Sequence, residues 1–462
     1  MTRRICIPTT CIIFIGLLMP KSTHGGTTRY VKDGGTGDGS SWTDAYGDLQ
    51  QALAVSLSFD QIWVASGTYS PGDDSSDTFE LIDEVQVYGG FYGTPGTEGD
   101  PYARDPDPAT NNTVLSGNLG TNGNSSVVVT ATGVYEQTIL DGFTITGGIG
   151  GHDGSGNGAG VYVGYPCTAT FRNCLIVGNR VPDSGSGAGM YMTDGCRPTL
   201  ESCTFQENRG GTGAGMFIME SDVEPVVRKC KFIANVAVHD GGGVFNDSYG
   251  DLILYDCIFV GNEASDGGGL SNGFYSNVEL VNCLFSGNTA LDNGGAIDQG
   301  GNILTLRNCS LHGNSCICGD GGGVHLQYGD PATLVNSIFW GNSDSEGSGE
   351  TAQIRIVDGT PSITYCCIEG RTGGGTGNIN NDPVFIDADG TDNVLGTLDD
   401  NLRLVPGSDC IDTGSNGAVM ASRGYDATVC IDDPIVSDDS NINSAGQLFE
   451  ENLSPQSPVL RI

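Results

Sequence analysis

The sequence predicts an all-β solenoid: a single-stranded, right-handed parallel β-helix with a short capping helix near its N-terminus. Two observations predict this fold, a motif that recurs at near-constant spacing and a glycine motif that stays in phase with it. A third is composition, because 74 glycines among 462 residues without a Gly-X-Y period exclude collagen and disfavour long helices. The length alone would suggest two or three globular domains, but the repeats favour one solenoid instead.

The recurring motif reads Cys-x-apolar-x-x-Asn, and Ser replaces Cys in the last of seven copies. Successive copies begin 29, 27, 27, 26, 26 and 28 residues apart. They begin at Cys174, Cys203, Cys230, Cys257, Cys283, Cys309 and Ser337. The glycine motif, Gly-[Ala/Gly]-[Gly/Ala]-apolar, ends at Val161, Met190, Met216, Val244, Leu270, Ile297 and Val324. Two motifs that share one period predict one coil of the solenoid per repeat.

One repeat shows how a coil should fold. Apolar residues alternate at Leu304 and Leu306, the phase slips at Asn308, and alternation resumes at Cys309 and Leu311. Alternation predicts strands, and the slip predicts a corner, because Asn tolerates the left-handed backbone of a tight turn. We therefore expect three strands and three corners per coil, with the Cys and Phe/Leu columns inside and the Asn columns forming hydrogen-bonded ladders. A leucine-rich horseshoe is the alternative fold, but the repeat lacks its spaced leucines and its helix.

The segments that flank the repeats suggest three parts. Residues 1–25 resemble a signal peptide, with Arg3 and Arg4 before an apolar run that is too short for a membrane-spanning helix. Residues 26–414 are assigned to the β-helix, and 415–462 to an irregular tail without a transmembrane span. Within the β-helix, Asp48–Ser56 is the only helix candidate and suits a cap over the open end of the core. These assignments predict a secreted or cell-surface protein.

The net charge of the chain limits the kinds of molecule that it can bind. Removal of residues 1–25 would leave 16 basic against 56 acidic residues, a net charge of −40. Such a surface repels nucleic acid and anionic lipid, and it repels acidic polysaccharides unless a divalent cation bridges them. We therefore expect no nucleic-acid partner, and we expect extracellular polysaccharide or cell-surface components as partners, with calcium as a candidate counter-ion.

Four stretches of the sequence carry a family resemblance. The run Gly294–Ile297, together with Phe285–Asn288 and its copies, resembles the repeats of bacterial polymorphic outer-membrane proteins. More broadly, residues 30–69 and 382–414 are similar to the usual opening and ending of secreted proteins of the pectin-lyase-like superfamily of right-handed β-helices. The resemblance covers roughly residues 29–414, although nothing after 414 resembles the membrane-anchoring segment of the first group. It implies the fold, and it leaves open polysaccharide lyases, hydrolases, adhesins and other surface proteins.

Catalytic candidates are few. A lyase needs a strong base near carboxylates that hold calcium, and the weak candidates are Arg228, Lys229 and Lys231, which cluster beside Glu224 and Asp222. An ordinary exposed strand edge explains the same cluster. A hydrolase would need a Gly-His-Gly and a basic triplet, and Gly-His-Asp at 151–153 matches this only in part.

Two groups of carboxylates suggest a cation. Asp387, Asp389, Asp392, Asp399 and Asp400 surround a glycine in the way that oxygen-liking calcium prefers, and an acidic capping loop is the alternative. Seven residues that precede the glycine motifs should form a column on adjacent coils. They are Asn157, Ser186, Thr212, Asp240, Asp266, Asn293 and Asp320. This column can be interpreted as a row of turn-capping residues or as a calcium site. The calcium interpretation is considered because Asp240 and Asp266 would repel each other without a cation.

The cysteines divide into two groups. Six lie in the buried column, where stacked thiols would form only a strained disulfide. Cys167–Cys196 and Cys410–Cys430 are the two disulfides that the spacing favours, while Cys316-x-Cys318 lacks the second pair that zinc needs.

Two functions follow from these patterns. The first is a secreted or surface β-helix protein, monomeric and without catalytic activity, that adheres to surfaces or binds glycans. It is favoured by regular coils and the absence of a recognisable catalytic set. The alternative is a polysaccharide lyase or glycoside hydrolase that acts in a groove on the β-helix, and an Arg or Lys surrounded by carboxylates would favour it. A trimeric fibre is a third hypothesis.

Overall fold

The computed structural model shows a parallel β-solenoid of about 11 turns, as the repeats predict. It describes residues 26–96, 98–151, 156–193, 195–219, 223–327, 331–411 and 414–415. The proposed signal peptide and the end of the chain, including Cys430, lie outside the described residues. No helix in the described ranges is both long and apolar enough to cross a membrane.

Three parallel sheets run along the solenoid axis, and each coil adds one strand to each sheet. Sheet 1 has 12 strands: Thr28–Val31, Gln61–Ala65, Gln86–Phe91, Ile139–Asp141, Thr170–Arg172, Thr199–Glu201, Val226–Arg228, Asp251–Tyr255, Asn277–Val281, Ile303–Arg307, Ala332–Val335 and Ser362–Thr364. Sheet 2 has 11 strands: Gly67–Tyr69, Thr113–Ser116, Thr144–Thr146, Leu175–Val177, Thr204–Gln206, Lys231–Ile233, Ile258–Val260, Leu284–Ser286, Ser310–His312, Ile338–Trp340 and Cys367–Ile368. Sheet 3 has 10 strands: Phe79–Glu80, Val129–Val134, Val161–Cys167, Met190–Met192, Met216–Ile218, Val244–Asn246, Leu270–Asn272, Ile297–Gln299, Val324–Leu326 and Ile354–Ile356.

A fourth, narrow sheet departs from the three-strand coil that the sequence predicts. It lies between sheets 2 and 3 and has five short strands: Arg209–Gly210, Val236–Ala237, Glu263–Asp266, Thr289–Asn293 and Ser315–Cys316. Each of its strands begins directly after the Asn that ends the motif, so a short strand follows the corner there. These strands carry no apolar alternation of their own, and for this reason the pattern does not reveal them.

Identical residues stack inside the solenoid, as expected. The rings of Phe205, Phe232, Phe259 and Phe285 lie parallel, with centroids 5.0, 4.7 and 4.4 Å apart. All four are completely buried, and so is the column of Cys side chains beside them. Burial of such rings contributes to the hydrophobic stabilisation of each coil, together with the other apolar side chains of the core.

The two Asn columns have different roles. At the corner between sheets 1 and 2, Asn308 takes φ 54°, which confirms the predicted left-handed turn. At the next corner the left-handed residue is Gly313, the one before Asn314. The side chain of Asn314 points inward and joins a ladder of buried amides that runs along the axis. The ladder consists of Asn179, Asn208, Asn235, Asn262, Asn288, Asn314 and Asn342, and it ends on Gln353.

Glycine is required at two positions of its motif. Gly241 takes φ 64°, a conformation that costs L side chains energy. Two residues later, a Cβ on Gly243 would lie 2.5 Å from the carbonyl oxygen of Gly269 on the next coil. The motif therefore marks a point where adjacent coils approach too closely for a side chain.

The ends of the solenoid are irregular. Helix Leu49–Val55 lies within the predicted segment, and the Asp48 side chain accepts a hydrogen bond from the backbone of Gln50, which is the usual N-cap. Its apolar residues join the core, whereas its role as a cap stays a prediction. Short helices also occur at Pro108–Asn111, Gly120–Asn122 (3-10) and Glu350–Gln353. Residues 382–411 include an antiparallel pair, Phe385–Asp387 with Asn401–Leu404, and pack against the outside of sheet 2 instead of forming a further coil.

Candidate functional site

A pocket on the outside of sheet 1 brings charged, polar and aromatic side chains together. Its volume is about 290 Å³. The sheet supplies its floor, and the segment between Phe91 and Thr113 supplies one wall. The lining residues are Pro101, Tyr102, Arg104, Pro106, Asp141, Arg172, Asn173, Glu201 and Ser202.

Asp141 is the centre of the pocket floor and is almost completely buried. One of its carboxylate oxygens accepts a hydrogen bond from the Arg172 guanidinium at 2.5 Å and forms an ion pair with the Arg104 guanidinium at 2.6 Å. The other oxygen accepts one from the Asn173 amide at 2.9 Å. Two cations therefore share one buried anion, an arrangement that compensates for the loss of water around it.

The floor also holds the wall in place. Arg104 donates to the carbonyl oxygens of Pro101 and Gly89 at 2.9 and 2.8 Å. Its guanidinium lies over the ring of Tyr88, 5.3 Å from the centroid, a distance typical of a cation–π contact. Arg104 thus ties the wall to the sheet from within.

The second guanidinium stays charged. Burial alone would lower the pKa of Arg172, but the hydrogen-bonded Asp141 carboxylate reverses this effect and raises it, with help from Tyr88 and Glu201. Burial also raises the pKa of Tyr88, so the phenol stays protonated at neutral pH. Arg172 can therefore donate hydrogen bonds to a ligand, but it cannot accept a proton.

The rim of the pocket is open to solvent. The Tyr102 side chain is 85% exposed, and Glu201 and Ser202 are exposed on the opposite side. An exposed aromatic ring beside hydroxyl and carboxylate groups offers both a flat apolar face and hydrogen-bonding partners. The arrangement suits a ligand that combines apolar faces with hydroxyl groups.

The repeated motifs of the sequence do not mark this pocket. Its wall is an insertion, because two residues separate Arg172 from Leu175 at a normal corner, whereas 21 separate Phe91 from Thr113. That length difference is a signal that could have located the site. The identities of Tyr102 and Arg104 could not have been assigned a role, because the insertion has no copy in other coils.

The predicted basic cluster lies near this pocket but outside it. Asp141, Arg172, Glu201 and Arg228 are consecutive partners on adjacent strands of sheet 1, so Arg228 lies two coils beyond Arg172. Its guanidinium lies 5.2 Å from the ring centroid of Tyr255.

The rest of that cluster does not converge on one point. Lys229 occupies a left-handed corner (φ 54°), and Lys231 lies on the next strand, in sheet 2. Glu224 pairs with Arg197, at 3.4 Å, and Asp222 lies outside the described residues. The catalytic role of Arg228, Lys229 and Lys231 stays a prediction.

The predicted calcium loop is held together by its own carboxylates. Asp399 accepts hydrogen bonds from the backbone and hydroxyl of Thr391, and these bonds hold its pKa well below the usual range. Asp400 is buried and accepts a hydrogen bond from the Ser286 hydroxyl at 2.5 Å. In the described residues, no three His, Cys, Asp or Glu side chains are grouped so that they could hold a metal. Calcium at Asp387, Asp389, Asp392, Asp399 and Asp400 stays a prediction.

The predicted column before the glycine motifs does form. Asp240 and Asp266 pair as neighbours on adjacent coils, and the Asn293 amide donates to Asp266 at 2.8 Å. Burial, with the nearby Asp266 and Asp298 carboxylates, raises the pKa of Asp240 to about 6. Beyond this pair, on the outside of sheet 3, Asp298 contacts His325 Nδ1 at 2.7 Å. This row therefore holds a carboxyl group that stays partly protonated near neutral pH.

The cysteines of the column point inward and are unreactive. Burial raises the pKa of Cys174, Cys203, Cys283 and Cys309 well above that of a free thiol. Cys167 and Cys196 both lie in the core on adjacent coils, and burial raises the pKa of Cys167 to about 12. The Cys167–Cys196 and Cys410–Cys430 disulfides stay predictions.

Comparison with known proteins concerns the fold. Residues 109–302 match a family model described as "Right handed beta helix region". Among solved structures, the chain is similar to pectate lyase Pel9A, with 14% identity, a TM-score of 0.52, and coverage of 87% of this chain and 94% of that one. It also aligns with a rhamnogalacturonan lyase at 12% identity and a TM-score of 0.32, over 79% of this chain and 91% of that one. No curated protein matches the sequence.

At this level of identity, the likeness to pectate lyase establishes the fold alone. No comparison bears on the resemblance to polymorphic outer-membrane proteins, which stays a prediction. The family model confirms the hand of the coils, and the strand order confirms that they are parallel. The chain is a right-handed parallel β-helix of the kind that pectate lyase also adopts.

Proposed function

We propose that this chain is a non-catalytic, monomeric β-helix protein that acts outside the cell and binds a neutral polysaccharide in the pocket around Asp141. The observation that carries the proposal is the pairing of both guanidinium groups in the pocket with that one carboxylate. A lyase needs a basic group that can take a proton, and a guanidinium held by a buried carboxylate stays protonated. Arg172, whose side chain is more exposed than that of Arg104, can donate hydrogen bonds to hydroxyl groups.

The rim supplies the second part of a sugar-binding site. A pyranose ring presents C–H groups on its faces and hydroxyl groups at its edge. The exposed ring of Tyr102 can pack against such a face, while Asn173, Glu201 and Ser202 lie where they can bond the edge. Ligand sites usually combine an apolar contact surface with a small number of polar groups, as this pocket does.

Charge favours a neutral ligand over an acidic one. The pocket lining contains two guanidinium groups and two carboxylates, so its own charges cancel. The whole chain carries a formal net charge of −37, which repels a polyanion at long range. A polyuronate would therefore require a bridging cation such as calcium. The extracellular location is supported by the signal-like pattern of residues 1–25.

The test is a binding screen with residues 26–462 against a soluble β-glucan, a mannan and polygalacturonate, with and without calcium. Retention on a neutral glycan and the release of unsaturated or reducing products are both measured. We expect retention without product, and we expect Tyr102→Ala to weaken retention about tenfold, the effect of losing one ring contact. Tyr249→Ala removes a similarly exposed ring elsewhere on the solenoid and should leave retention unchanged.

Each outcome decides a different point. Equal loss in both Tyr variants would reject the pocket as the site. Retention of polygalacturonate alone would reject the neutral ligand. Product from any glycan would reject the absence of catalysis.

The alternative, polysaccharide cleavage, is favoured by one observation. The pKa of Asp240, raised to about 6, keeps a carboxylic acid partly protonated beside the carboxylates of Asp266 and Asp298, as general acid–base catalysis requires. If products appear in the screen, Asp240→Asn should abolish them. If this variant retains full activity, the row before the glycine motifs is not the catalytic site.

A further inference from the structure

Residues 382–411 form a segment that packs along the outside of sheet 2. Phe385 packs edge-on against His312, with ring centroids 5.0 Å apart, and Asp400 bonds to Ser286. Cys410, near the end of the described chain, belongs to the same contact surface. We call residues 382–411 the side segment.

One cysteine from sheet 2 and one from the side segment lie together in this contact. Cys367 lies on the last strand of sheet 2, next to Ile338, and Cys410 comes from the side segment. The two cysteines and Ile338 form one apolar cluster, and each cysteine is only 4% exposed. Their side chains are close enough for each to shift the pKa of the other.

Neighbouring bonds hold this contact in place. Cys367 Sγ donates to the carbonyl oxygen of Asn381 at 3.1 Å. The backbone N–H of Cys410 donates to the Ser408 hydroxyl at 3.2 Å, and that hydroxyl donates to the carbonyl oxygen of Pro383 at 2.5 Å. The hydrogen bonds of the surrounding chain therefore hold both cysteines in fixed positions.

The two thiols influence each other in the folded chain. The interaction with Cys410, together with burial, raises the pKa of Cys367, and the interaction with Cys367 lowers the pKa of Cys410. The two sulfur atoms therefore belong to one local contact of the fold.

We propose that Cys367 and Cys410 form a disulfide that fastens the side segment to sheet 2. The oxidant is a small-molecule or protein disulfide, RSSR. The thiolate of one of the two cysteines attacks one sulfur of RSSR and releases RS⁻, and the thiolate of the other then attacks the protein sulfur of this mixed disulfide and releases the second RS⁻. Two protein thiols are thus oxidised to one disulfide, RSSR is reduced to two RSH, and the two protons move from the protein thiols to the released thiolates. Because both sulfurs are buried in the final structure, the exchange takes place while the side segment docks.

The proposal competes with the Cys410–Cys430 pairing and is independent of glycan binding. It rests on the proposed export only for the supply of oxidant in the cell. A test with purified protein and added oxidised glutathione removes that dependence. Failure of the glycan screen would therefore leave this proposal untouched, and the reverse also holds.

The experiment is disulfide mapping of residues 26–462 refolded with oxidised and reduced glutathione. Free thiols are blocked with N-ethylmaleimide in denaturant, and the chain is then cut with trypsin. Cleavage at Arg355, Arg371, Arg403 and Arg423 isolates residues 356–371 and 404–423, and Cys430 lies on a third peptide. We expect the first two peptides to be linked, and we expect fragmentation to place the bond at Cys367 and not at Cys366.

Single-cysteine variants distinguish a specific Cys367–Cys410 disulfide from non-specific disulfide formation. Cys367→Ser should leave Cys410 fully blocked by N-ethylmaleimide, and Cys410→Ser should do the same for Cys367. The control Cys318→Ser changes an exposed cysteine and should leave the linked peptide unchanged. In the oxidised chain, proteolysis within residues 382–411 should be about tenfold slower than after reduction, because the bond prevents opening of the side segment. Full blocking of both Cys367 and Cys410, or a bond from Cys410 to Cys430, would overturn the proposal.

Discussion

Asn262 shows how much of the solenoid depends on one side chain. Its amide oxygen accepts bonds from the backbone and side chain of Asn235 at 3.0 and 2.9 Å. Its amide nitrogen donates to the carbonyl oxygen of Phe232 and to Asn288 at 2.9 and 2.8 Å. Four hydrogen bonds of one buried side chain therefore join three successive coils. Loss of such bonds costs more than their net strength, because the partners stay buried without compensation.

We predict that Asn262→Ala lowers the free energy of unfolding by about 3 kcal/mol. The variant leaves two donors on Asn235 and the carbonyl oxygen of Phe232 without their partner. Urea denaturation followed by circular dichroism measures the change. Asn302→Ala, which removes an exposed Asn with a single bond to Asn277, should cost less than about 0.5 kcal/mol and serves as the control. A similar cost for both variants would contradict a structural role for the ladder.

Asp240 shows the opposite case, a side chain that weakens the fold at neutral pH. Its pKa is about 6 in the folded chain, above the ordinary value of 3.8. Because the unfolded chain then loses this proton at lower pH than the folded chain, the free energy of unfolding falls as pH rises from about 4 to 6.

We predict that Asp240→Asn raises the free energy of unfolding by about 1 kcal/mol at pH 7, a figure reduced for partial exposure to solvent. Below about pH 4, where the wild-type carboxyl group is protonated in both states, the gain should disappear. Urea denaturation at pH 7 and pH 4 makes the comparison, with the exposed Asp183→Asn as control. An equal gain at both pH values would show that the effect is not one of ionisation.

Residues differ in how far their roles could be predicted from the sequence. The roles of Asn308, Phe259 and Gly243 could be predicted because each has copies at a near-constant spacing. Residues repeated at the coil period are expected to stack in a column along the solenoid. Asp141 and Tyr102 have no copies, and the partners of Asp141 lie far from it in the sequence: Arg104 is 37 positions earlier and Arg172 is 31 positions later. A contact made once, across a long sequence separation, leaves no periodic signal.

At the scale of elements, the insertion between Phe91 and Thr113 is the feature that turns a regular coil into a pocket. It contains helix Pro108–Asn111, and the Asn111 amide bonds to the carbonyl oxygen of Gly142 at 3.0 Å. Seven residues before Asn111, Arg104 pairs with Asp141. The insertion is therefore fastened at two points to a sheet whose own strands do not depend on it.

We predict that Arg104→Ala releases the insertion without unfolding the solenoid. Proteolysis between residues 92 and 107 should become about tenfold faster, because local opening no longer has to break the pair with Asp141. Mass spectrometry of the cleavage products locates the cuts. Arg197→Ala, which removes an exposed ion pair with Glu224, should leave the pattern unchanged. Global loss of β-structure in Arg104→Ala would mean that the insertion supports the solenoid itself.

At the scale of the whole molecule, a solenoid combines strong contacts between neighbouring coils with strong repulsion between surface charges. Each coil contacts the coils before and after it, so its stability is a sum over interfaces such as the Phe and Asn columns. The chain also carries a formal net charge of −37, and repulsion among its acidic groups opposes compaction. Salt shortens the range of this repulsion from about 30 Å at 0.01 M to about 10 Å at 0.1 M.

This balance allows a test of the calcium prediction. We expect the melting temperature to rise by several degrees between 10 mM and 300 mM NaCl, because screening acts on every charge. If calcium binds the loop that contains Asp389 and Asp392, 2 mM CaCl₂ at constant ionic strength should give a further rise, since a ligand stabilises the state that binds it. Asp389→Asn should remove that further rise, and Asp358→Asn, on another exposed turn, should not. A rise that follows ionic strength alone, with no added effect of calcium, would leave the loop as an acidic cap stabilised by its own hydrogen bonds to Asp399 and Asp400.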